Sequence, residues 1–171
     1  MSNIESTVLR RTALRGALDR VKSAPWLAAG LAGFGGFLTI ALLASLNAAD
    51  ILPLLIAPFG ASSVLVFGAP QSPFARPRNV IGGHVVAAVM GLVAVSLLGP
   101  GPLAMALGVG LAIAAMMVSD TVHPPAGANP IVVALTGVGW SFLAAPVFVG
   151  AVAIVAMGLA YRRLAAGRLA R

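Results

Sequence analysis

The chain has 171 residues, of which 60% are hydrophobic and 9% are charged, and its mean hydropathy is +1.02. A soluble domain of this length cannot bury so much apolar surface, so the composition indicates an integral membrane protein. The absence of cysteine excludes disulfides, thiolate metal sites and cysteine nucleophiles. The net charge of +7 does not indicate nucleic-acid binding, because the basic residues flank apolar spans.

The chain begins with a polar, basic lead at residues 1–25, which contains five of the 11 Lys and Arg residues. Its apolar residues recur at helical spacing, which predicts a short amphipathic helix on the cytoplasmic membrane surface. Residues 26–98 and 102–160 then hold three apolar segments each, and a basic cytoplasmic tail follows at 161–171. The six segments are 27–46, 51–68, 81–98, 102–119, 121–138 and 141–160.

The second and fifth segments contain Pro and Gly, so the topology depends on whether these two cross the membrane. If all six segments cross, with both termini in the cytoplasm, all 11 Lys and Arg residues lie on the cytoplasmic side. If the two segments only re-enter, Arg76 and Arg78 fall outside. The positive-inside rule therefore favours six crossings. The expected location is a bacterial inner (plasma) membrane. Three crossings per half predict an all-α fold of two inverted repeats with broken middle helices.

The two interrupted segments share a motif. Pro58–Val66 aligns without gaps to Pro125–Val133, with the common pattern P-x-G-A-[SN]-[SP]-[VI]-[LV]-V. An Asp opens each segment, and we expect Asp50 and Asp120 to cap the helices that follow. Paired interrupted segments in two halves of a membrane protein indicate a transport site between repeats. Gly, Ala and Val are abundant here, so a chance match is the alternative.

Pro removes a backbone donor and Gly adds conformational freedom, so both segments are expected to break within the membrane. We predict that new helices start at 61–63 and 128–130, because Ser and Asn are good N-cap residues and Pro suits the first turn. Two helix starts that face each other would offer unpaired N–H groups and positive dipole ends to an anion. Kinked helices packed by small residues are the alternative. The predicted anion-binding residues are Gly60, Ala61, Ser62, Ser63, Gly127, Ala128 and Asn129.

His84 and His123 are the only ionisable side chains inside the predicted spans, apart from groups that flank them. A histidine within a membrane is a candidate for a hydrogen-bond donor to an anion or for a proton carrier. For His123 we favour the donor role, because Pro124 and Pro125 hold the adjacent backbone. Either histidine could instead be neutral and satisfied by a backbone carbonyl. Two His and an Asp are too few for an obvious metal site, so no metal or cofactor is expected.

Three stretches carry a resemblance to a known family. His123–Pro130 resembles the signature of the HPP family of integral membrane proteins, and Ala57–Ser62 and Ser72–His84 resemble its other characteristic stretches. Cyanobacterial and chloroplast relatives are associated with nitrite transport, so the resemblance implies a small-anion carrier. Descriptions of the family usually give four transmembrane segments, whereas the charge distribution here favours six.

Together these features predict a membrane transporter or channel for a small inorganic anion, with nitrite as the leading candidate. The lipid bilayer is the expected surrounding, and Gly-rich helix faces are compatible with a homo-oligomer. An intramembrane enzyme is one rival, since Ser62 or Ser63 with His123 superficially suggests a hydrolase. No G-x-S-x-G motif supports that rival, and no enzymatic activity is expected. A membrane scaffold that does not transport is the other rival.

Overall fold

A computed structural model describes the backbone of residues 25–169 and the side chains of residues 25–164. All regular structure in that range is helical, which confirms the predicted all-α membrane fold. The amphipathic helix predicted for residues 1–25 lies outside the described residues, apart from Pro25. Within the described range the α-helices are α1 (Pro25–Ala48), α2 (Pro58–Ser63), α3 (Pro77–Leu98), α4 (Pro102–Val118), α5 (Asn129–Thr136) and α6 (Val149–Leu169).

Shorter helical turns extend or join these helices. Proline stands in the first turn of α2, α3 and α4, where its missing N–H leaves no helical hydrogen bond unmade. The short elements are a π-helical turn at Val64–Gly68 that continues α2, 3-10 turns at Pro73–Ala75, Pro124–Ala128 and Trp140–Leu143, and a π-helical turn at Ala144–Phe148 that leads into α6.

Three helical stretches are long and apolar enough to cross a membrane: Pro25–Ala48, Pro77–Leu98 and Trp140–Leu164. Spanning a hydrocarbon core of about 30 Å takes about 20 helical residues. Pro102–Val118 is slightly shorter, at 17 residues, and Pro58–Gly68 reaches only part of that distance. The two predicted middle segments are therefore helical over only part of their lengths.

Contacts between distant residues define one end of the bundle. Phe67, at the end of the helical stretch after α2, packs against Gly35 in the first half of α1. The same ring meets Tyr161 of α6 edge-on, with 5.4 Å between ring centroids. One residue further along α6, Arg162 donates a hydrogen bond of 3.2 Å to the carbonyl of Ala75. The start of α1, the loop 69–76 and the last part of α6 therefore lie at the same end.

The other half of the chain reaches this end through an ion pair. Arg78, in the first turn of α3, bonds to the Asp120 carboxylate at 2.9 Å and to the Ser119 carbonyl at 2.8 Å. Both side chains of the ion pair are more than half exposed, so the pair adds little stability. It shows, however, that the C-terminal end of α4 lies beside the start of α3, at the same end of the bundle as the loop 69–76. We call this the basic end, defined by Arg76, Arg78 and Arg162.

Each middle segment runs as irregular chain first and as helix second. Residues 51–57 are non-helical and lead into α2, which runs toward the basic end. Residues 121–123 leave the basic end, and the 3-10 turn and α5 follow. The predicted interruptions are therefore present, but no helix precedes either of them. α2 begins at Pro58, three residues before the predicted start at Ala61.

Two glycines at corresponding positions show how the halves pack. A Cβ added to Gly83 of α3 would lie 2.8 Å from the carbonyl oxygen of Thr121. A Cβ added to Gly150 of α6 would lie 3.3 Å from the carbonyl oxygen of Leu54. In both cases the long third helix of one half contacts the irregular chain of the other half. Only a residue without a side chain allows that approach without displacement.

The prediction that Asp50 and Asp120 cap the helices that follow them is wrong. Each Asp instead ends the helix that precedes it. Both have positive φ, at 53° and 52°. Asp50 N–H bonds to Asn47 and the next N–H bonds to Leu46; Asp120 N–H bonds to Met117 and the next N–H bonds to Met116. This pair of bonds is the Schellman motif, in which the residue after the helix is left-handed. The prediction failed because extended chain, not helix, follows each Asp.

Large apolar side chains cover much of the outer surface. Phe34 is 58% exposed, Phe37 65%, Leu135 69% and Val118 91%. Side chains of this size on several helices form an apolar exterior that suits contact with lipid rather than with water. The protein is thus built to lie within a bilayer, with its few polar residues inside or at the ends.

Candidate functional site

Four polar side chains from four different elements meet in the interior. Ser62 comes from α2, His84 from α3, His123 from the chain before the 3-10 turn and Asn129 from the start of α5. Each of the four residues is 0% exposed. They are all among the predicted site residues, although up to 67 positions separate them in the sequence. We call this set the Ser–His–His–Asn network.

Hydrogen bonds connect the four side chains in a line. The Ser62 hydroxyl oxygen lies 2.7 Å from Nε2 of His84 and 2.9 Å from Nε2 of His123. At one end, the Asn129 amide nitrogen lies 3.2 Å from Nδ1 of His84 and donates to the His84 carbonyl at 2.9 Å. At the other end, Nδ1 of His123 lies 2.8 Å from the carbonyl oxygen of Phe74. Ser62 is therefore the link between the two rings.

The partners determine where each hydrogen resides when both rings are neutral. A carbonyl oxygen only accepts, so Nδ1 of His123 carries the hydrogen and its Nε2 accepts one from Ser62. With the Ser62 hydrogen used in this way, Nε2–H of His84 donates to the Ser62 oxygen. Nδ1 of His84 then accepts from the Asn129 amide. All hydrogen bonds in the network point in one direction, from Asn129 to Phe74.

This direction changes the predicted role of His123. As a neutral donor it was expected to offer an N–H toward the site, but its N–H is bonded to the Phe74 carbonyl. The nitrogen that faces Ser62 is an acceptor in the neutral ring. His123 can donate toward Ser62 only when it is protonated, so the donor and proton-carrier roles coincide at this residue.

Local sequence explains why the chain can reach this arrangement. His123 has extended φ and ψ of −137° and 98°, as expected for a residue before proline. Gly83 lets it approach α3, since a Cβ there would lie 2.6 Å from the His123 Cβ. The Asn79 amide donates to the Val122 carbonyl at 2.9 Å and holds the same stretch of chain. The two consecutive glycines, Gly82 and Gly83, thus allow residues 121–123 to lie close against α3.

The surroundings of the network are apolar. The buried Phe59 ring stands edge-on to His84, with 5.0 Å between ring centroids, and the two imidazole rings are also 5.0 Å apart. Ala87, Met116 and Ala126 form a buried cluster beside them. A charge placed here would lose its hydration, which costs several kcal/mol unless it is paired.

The remaining predicted site residues take no part in the hydrogen bonds of the network. Gly60 and Ala61 are exposed, and Gly127 and Ala128 are half-buried in the 3-10 turn. Ser63 is 5% exposed, and its hydroxyl has no hydrogen-bond partner among the described residues. It borders a groove of about 640 Å³ between α1 and α2 rather than the network.

The predicted anion site at two unpaired helix starts is not what the structure contains. The first N–H groups of α2 bond to turn carbonyls, Phe59 to Ile56 at 3.0 Å and Gly60 to Ala57 at 3.1 Å. Before α5, the Asn129 N–H bonds to the Ala126 carbonyl. Ser62 lies one turn inside its helix, where its hydroxyl is also 3.2 Å from the Pro58 carbonyl. Side chains, not free helix ends, therefore supply the polar groups of the site.

Sequence reasoning missed two contributors, the Phe74 carbonyl and the Asn79 amide. Both lie in the stretch Ser72–His84, in which a site role was predicted only for His84. A backbone carbonyl has no signature in sequence, so Phe74 could not have been found. A polar Asn in the first turn of an apolar helix was a visible signal for Asn79.

Comparisons with known proteins group the chain with transmembrane proteins. Residues 19–170 match the family described as the HPP transmembrane region. Two transmembrane proteins of Dictyostelium discoideum are 36% and 34% identical to the chain, over 81% of its length in both cases. The chain spans about half the length of these curated relatives, at 52% and 47%. No solved structure matches the chain significantly. The chain belongs to the HPP family of transmembrane proteins.

Proposed function

We propose that this protein transports a small inorganic anion, with nitrite as the leading candidate, across a bacterial inner membrane. The observation that supports this most directly is the buried Ser–His–His–Asn network at the meeting point of the two interrupted segments. Polar and ionisable residues are costly inside a membrane protein and mark substrate or proton pathways. Irregular backbone at that depth persists only inside protein or along a cavity.

The course of the chain supports an inverted-repeat interpretation. α1 and α4 each end in a Schellman motif at an Asp, but at opposite ends of the bundle. The irregular half of each middle segment follows. It packs closely against a glycine of the other half: Gly150 for the first segment and Gly83 for the second. Six passes of the chain in two halves of opposite direction are the architecture in which transporters bind substrates between repeats. The basic end would face the cytoplasm.

The chemistry of the network suits an anion better than a cation. Its hydrogen-bonding groups are O–H, N–H and imidazole nitrogen, and no carboxylate of the described residues contributes to it. Asp120, in the same connecting stretch as His123, is 86% exposed and paired with Arg78 at the basic end. A cation would require carboxylates or a ring of carbonyls at this depth. The fully buried, closed network also suits a substrate of only a few atoms.

An enzyme is less well supported. The 2.9 Å contact between Ser62 and His123 has the distance of a nucleophile and its general base. However, Nδ1 of His123 is oriented by a backbone carbonyl rather than by a carboxylate, and Ser62 is fully buried. Ser62 also accepts a hydrogen bond from His84, which ties it into the helix packing.

Purified protein in liposomes tests the proposal. We expect entry of nitrite, nitrate or chloride into protein-containing vesicles above the rate of empty vesicles, without chemical change of the anion. Ser62→Ala removes the link between the two rings, and losing a hydrogen bond to a charged group costs about 1.5–3 kcal/mol. That corresponds to roughly 10- to 150-fold weaker anion binding.

Thr136→Val is the matched control, because this hydroxyl bonds only to the Val132 carbonyl of its own helix and is exposed. Its flux should equal that of the wild type. A flux no higher than that of empty vesicles for every anion tested would contradict the proposal. Consumption of a substrate would support the enzyme instead.

A further inference from the structure

Every hydrogen of the neutral network is already used. The two hydrogens on the Asn129 amide go to the His84 carbonyl and to Nδ1 of His84, and the His84 N–H goes to Ser62. The Ser62 hydrogen goes to His123, and the His123 N–H goes to Phe74. An anion that entered this closed network would find no donor without breaking one of these bonds.

The network also lacks a positive charge to balance an anion. Among the residues with described side chains, the cations near this half of the bundle lie at the basic end. Arg78 is paired with Asp120, and Arg162 is bonded to the Ala75 carbonyl. An unbalanced anion in apolar surroundings is costly, because it loses its hydration and gains no counter-charge.

We propose that each anion enters the network together with one proton, which His123 holds on Nε2. This rests on the function proposed above and identifies the ion that accompanies the substrate. Protonated His123 keeps its Nδ1–H on Phe74 and donates its new Nε2–H to Ser62. Ser62 then accepts from both rings, and its own hydrogen is released from His123. The anion competes for that hydrogen only with the Pro58 carbonyl of the same helix, at 3.2 Å. The imidazolium supplies the missing charge, so the loaded site is neutral.

The geometry selects His123 over His84 for this role. A proton on Nδ1 of His84 would displace the Asn129 N–H but leave the Ser62 hydrogen on His123, so the central hydroxyl that joins the two rings would gain no free hydrogen. Of the ionisable groups with described side chains, only His84 contacts His123. The others on the surrounding elements are Arg76 from the loop, Arg78 from α3, Asp120 after α4, and Tyr161, Arg162 and Arg163 from α6.

Wild-type protein in liposomes gives the first test. Nitrate and chloride are the probes, because anions of strong acids do not cross empty vesicles as the neutral acid. A pH dye reports proton entry, and valinomycin with potassium sets the membrane potential. We expect one proton to enter with each anion, at a rate that a pH gradient accelerates and that the imposed potential does not change.

Anion entry without proton entry, driven by the membrane potential, would overturn this inference and leave the proposed function standing. Absence of entry for nitrite as well as for nitrate and chloride would instead remove the proposed function itself. The two failures are therefore distinguishable in one preparation.

His123→Gln gives the second test, because an amide can replace the hydrogen bonds of the ring but cannot bind the proton. Any remaining anion flux should lose its dependence on the pH gradient and become sensitive to the membrane potential. His84→Gln should lower the flux but keep the pH-gradient dependence. If a pH gradient still drives the flux in His123→Gln, the assignment of the proton to this residue is overturned. If His123→Gln does not fold, His84→Gln decides the question, because loss of its pH-gradient dependence would assign the proton to His84 instead.

Discussion

The two middle segments, residues 51–68 and 121–136, share a motif but fold differently at one point. Pro58 starts an α-helix, whereas the corresponding Pro125 lies in a 3-10 turn and α5 begins four residues later, at Asn129. The residue that follows Ser62 and Asn129 in the motif explains the difference: it is Ser63 in the first segment and Pro130 in the second. Ser63 can donate its N–H within α2, but Pro130 cannot, and its ring would clash with the Ala126 carbonyl of a regular helix.

Despite this difference, the corresponding residues Ser62 and Asn129 reach the same place. Both contact His84, one at each ring nitrogen. The symmetry ends at the second histidine: Ile56 stands two residues before Pro58, where His123 stands two residues before Pro125. Ile56 is buried and apolar. The comparison teaches that the repeated motif brings Ser62 and Asn129 to His84 from both halves, whereas each histidine is present in one half only.

If the two halves are inverted repeats, they cross the membrane in opposite directions. A labelling experiment that determines the membrane topology tests this and has the largest expected signal. Single cysteines at Ser72 and Gly101 can be introduced into this cysteine-free chain and probed with an impermeant thiol reagent. We expect residue 101 to react only from outside the cell and residue 72 only from the cytoplasm. Labelling of residue 72 from outside would refute the inverted repeats.

Ser63→Pro tests why the two middle segments differ. It places a proline where Pro130 stands in the other half, so the first turn of α2 should lose its regular helix. Proline inside a helix costs about 3 kcal/mol or more. A large drop in thermal unfolding temperature in detergent is expected, with Ser63→Ala as the control near wild type. Equal stability of the two variants would show that proline is not the cause.

Gly83→Ala tests the close approach of the second middle segment to α3. The new methyl group would lie 2.6 Å from the His123 Cβ and 2.8 Å from the Thr121 carbonyl. Overpacking of this kind costs about 1–3 kcal/mol. Gly110→Ala is the matched control, because a Cβ there meets nothing within 4 Å and alanine is the better helix former. Thermal unfolding should separate the two, and a stabilised Gly83→Ala would contradict the packing described here.

The smallest expected effect concerns the two aspartates. Asp50→Gly should stabilise the protein by about 0.5–1 kcal/mol, because glycine adopts positive φ without strain. Asp120→Gly should gain less, because it also loses the ion pair with Arg78, which is worth about 0–1 kcal/mol at an exposed site. Denaturation curves measured at low and high salt should show the difference between the two variants shrink as salt rises. A difference that does not respond to salt would mean that the ion pair contributes nothing.

The sequence by itself determined the membrane class, the helical fold and the positions of the two interruptions. These follow from local properties: apolar runs long enough to cross a bilayer, and prolines and glycines that cannot continue a helix. The same local reasoning singled out His84 and His123 as ionisable residues within apolar spans, and Ser62 and Asn129 as helix-start residues of the repeated motif.

Only the tertiary structure decided how these residues act. Whether α2 starts at Pro58 or at Ala61 depends on turn carbonyls that bond its first N–H groups, and Asp50 and Asp120 end helices because extended chain follows them. The contact of Ser62 with both rings joins residues from three separate elements. The Phe74 carbonyl, which orients His123 and so sets the direction of every hydrogen bond, belongs to the backbone. Such contacts arise from packing between distant segments, which no local pattern encodes.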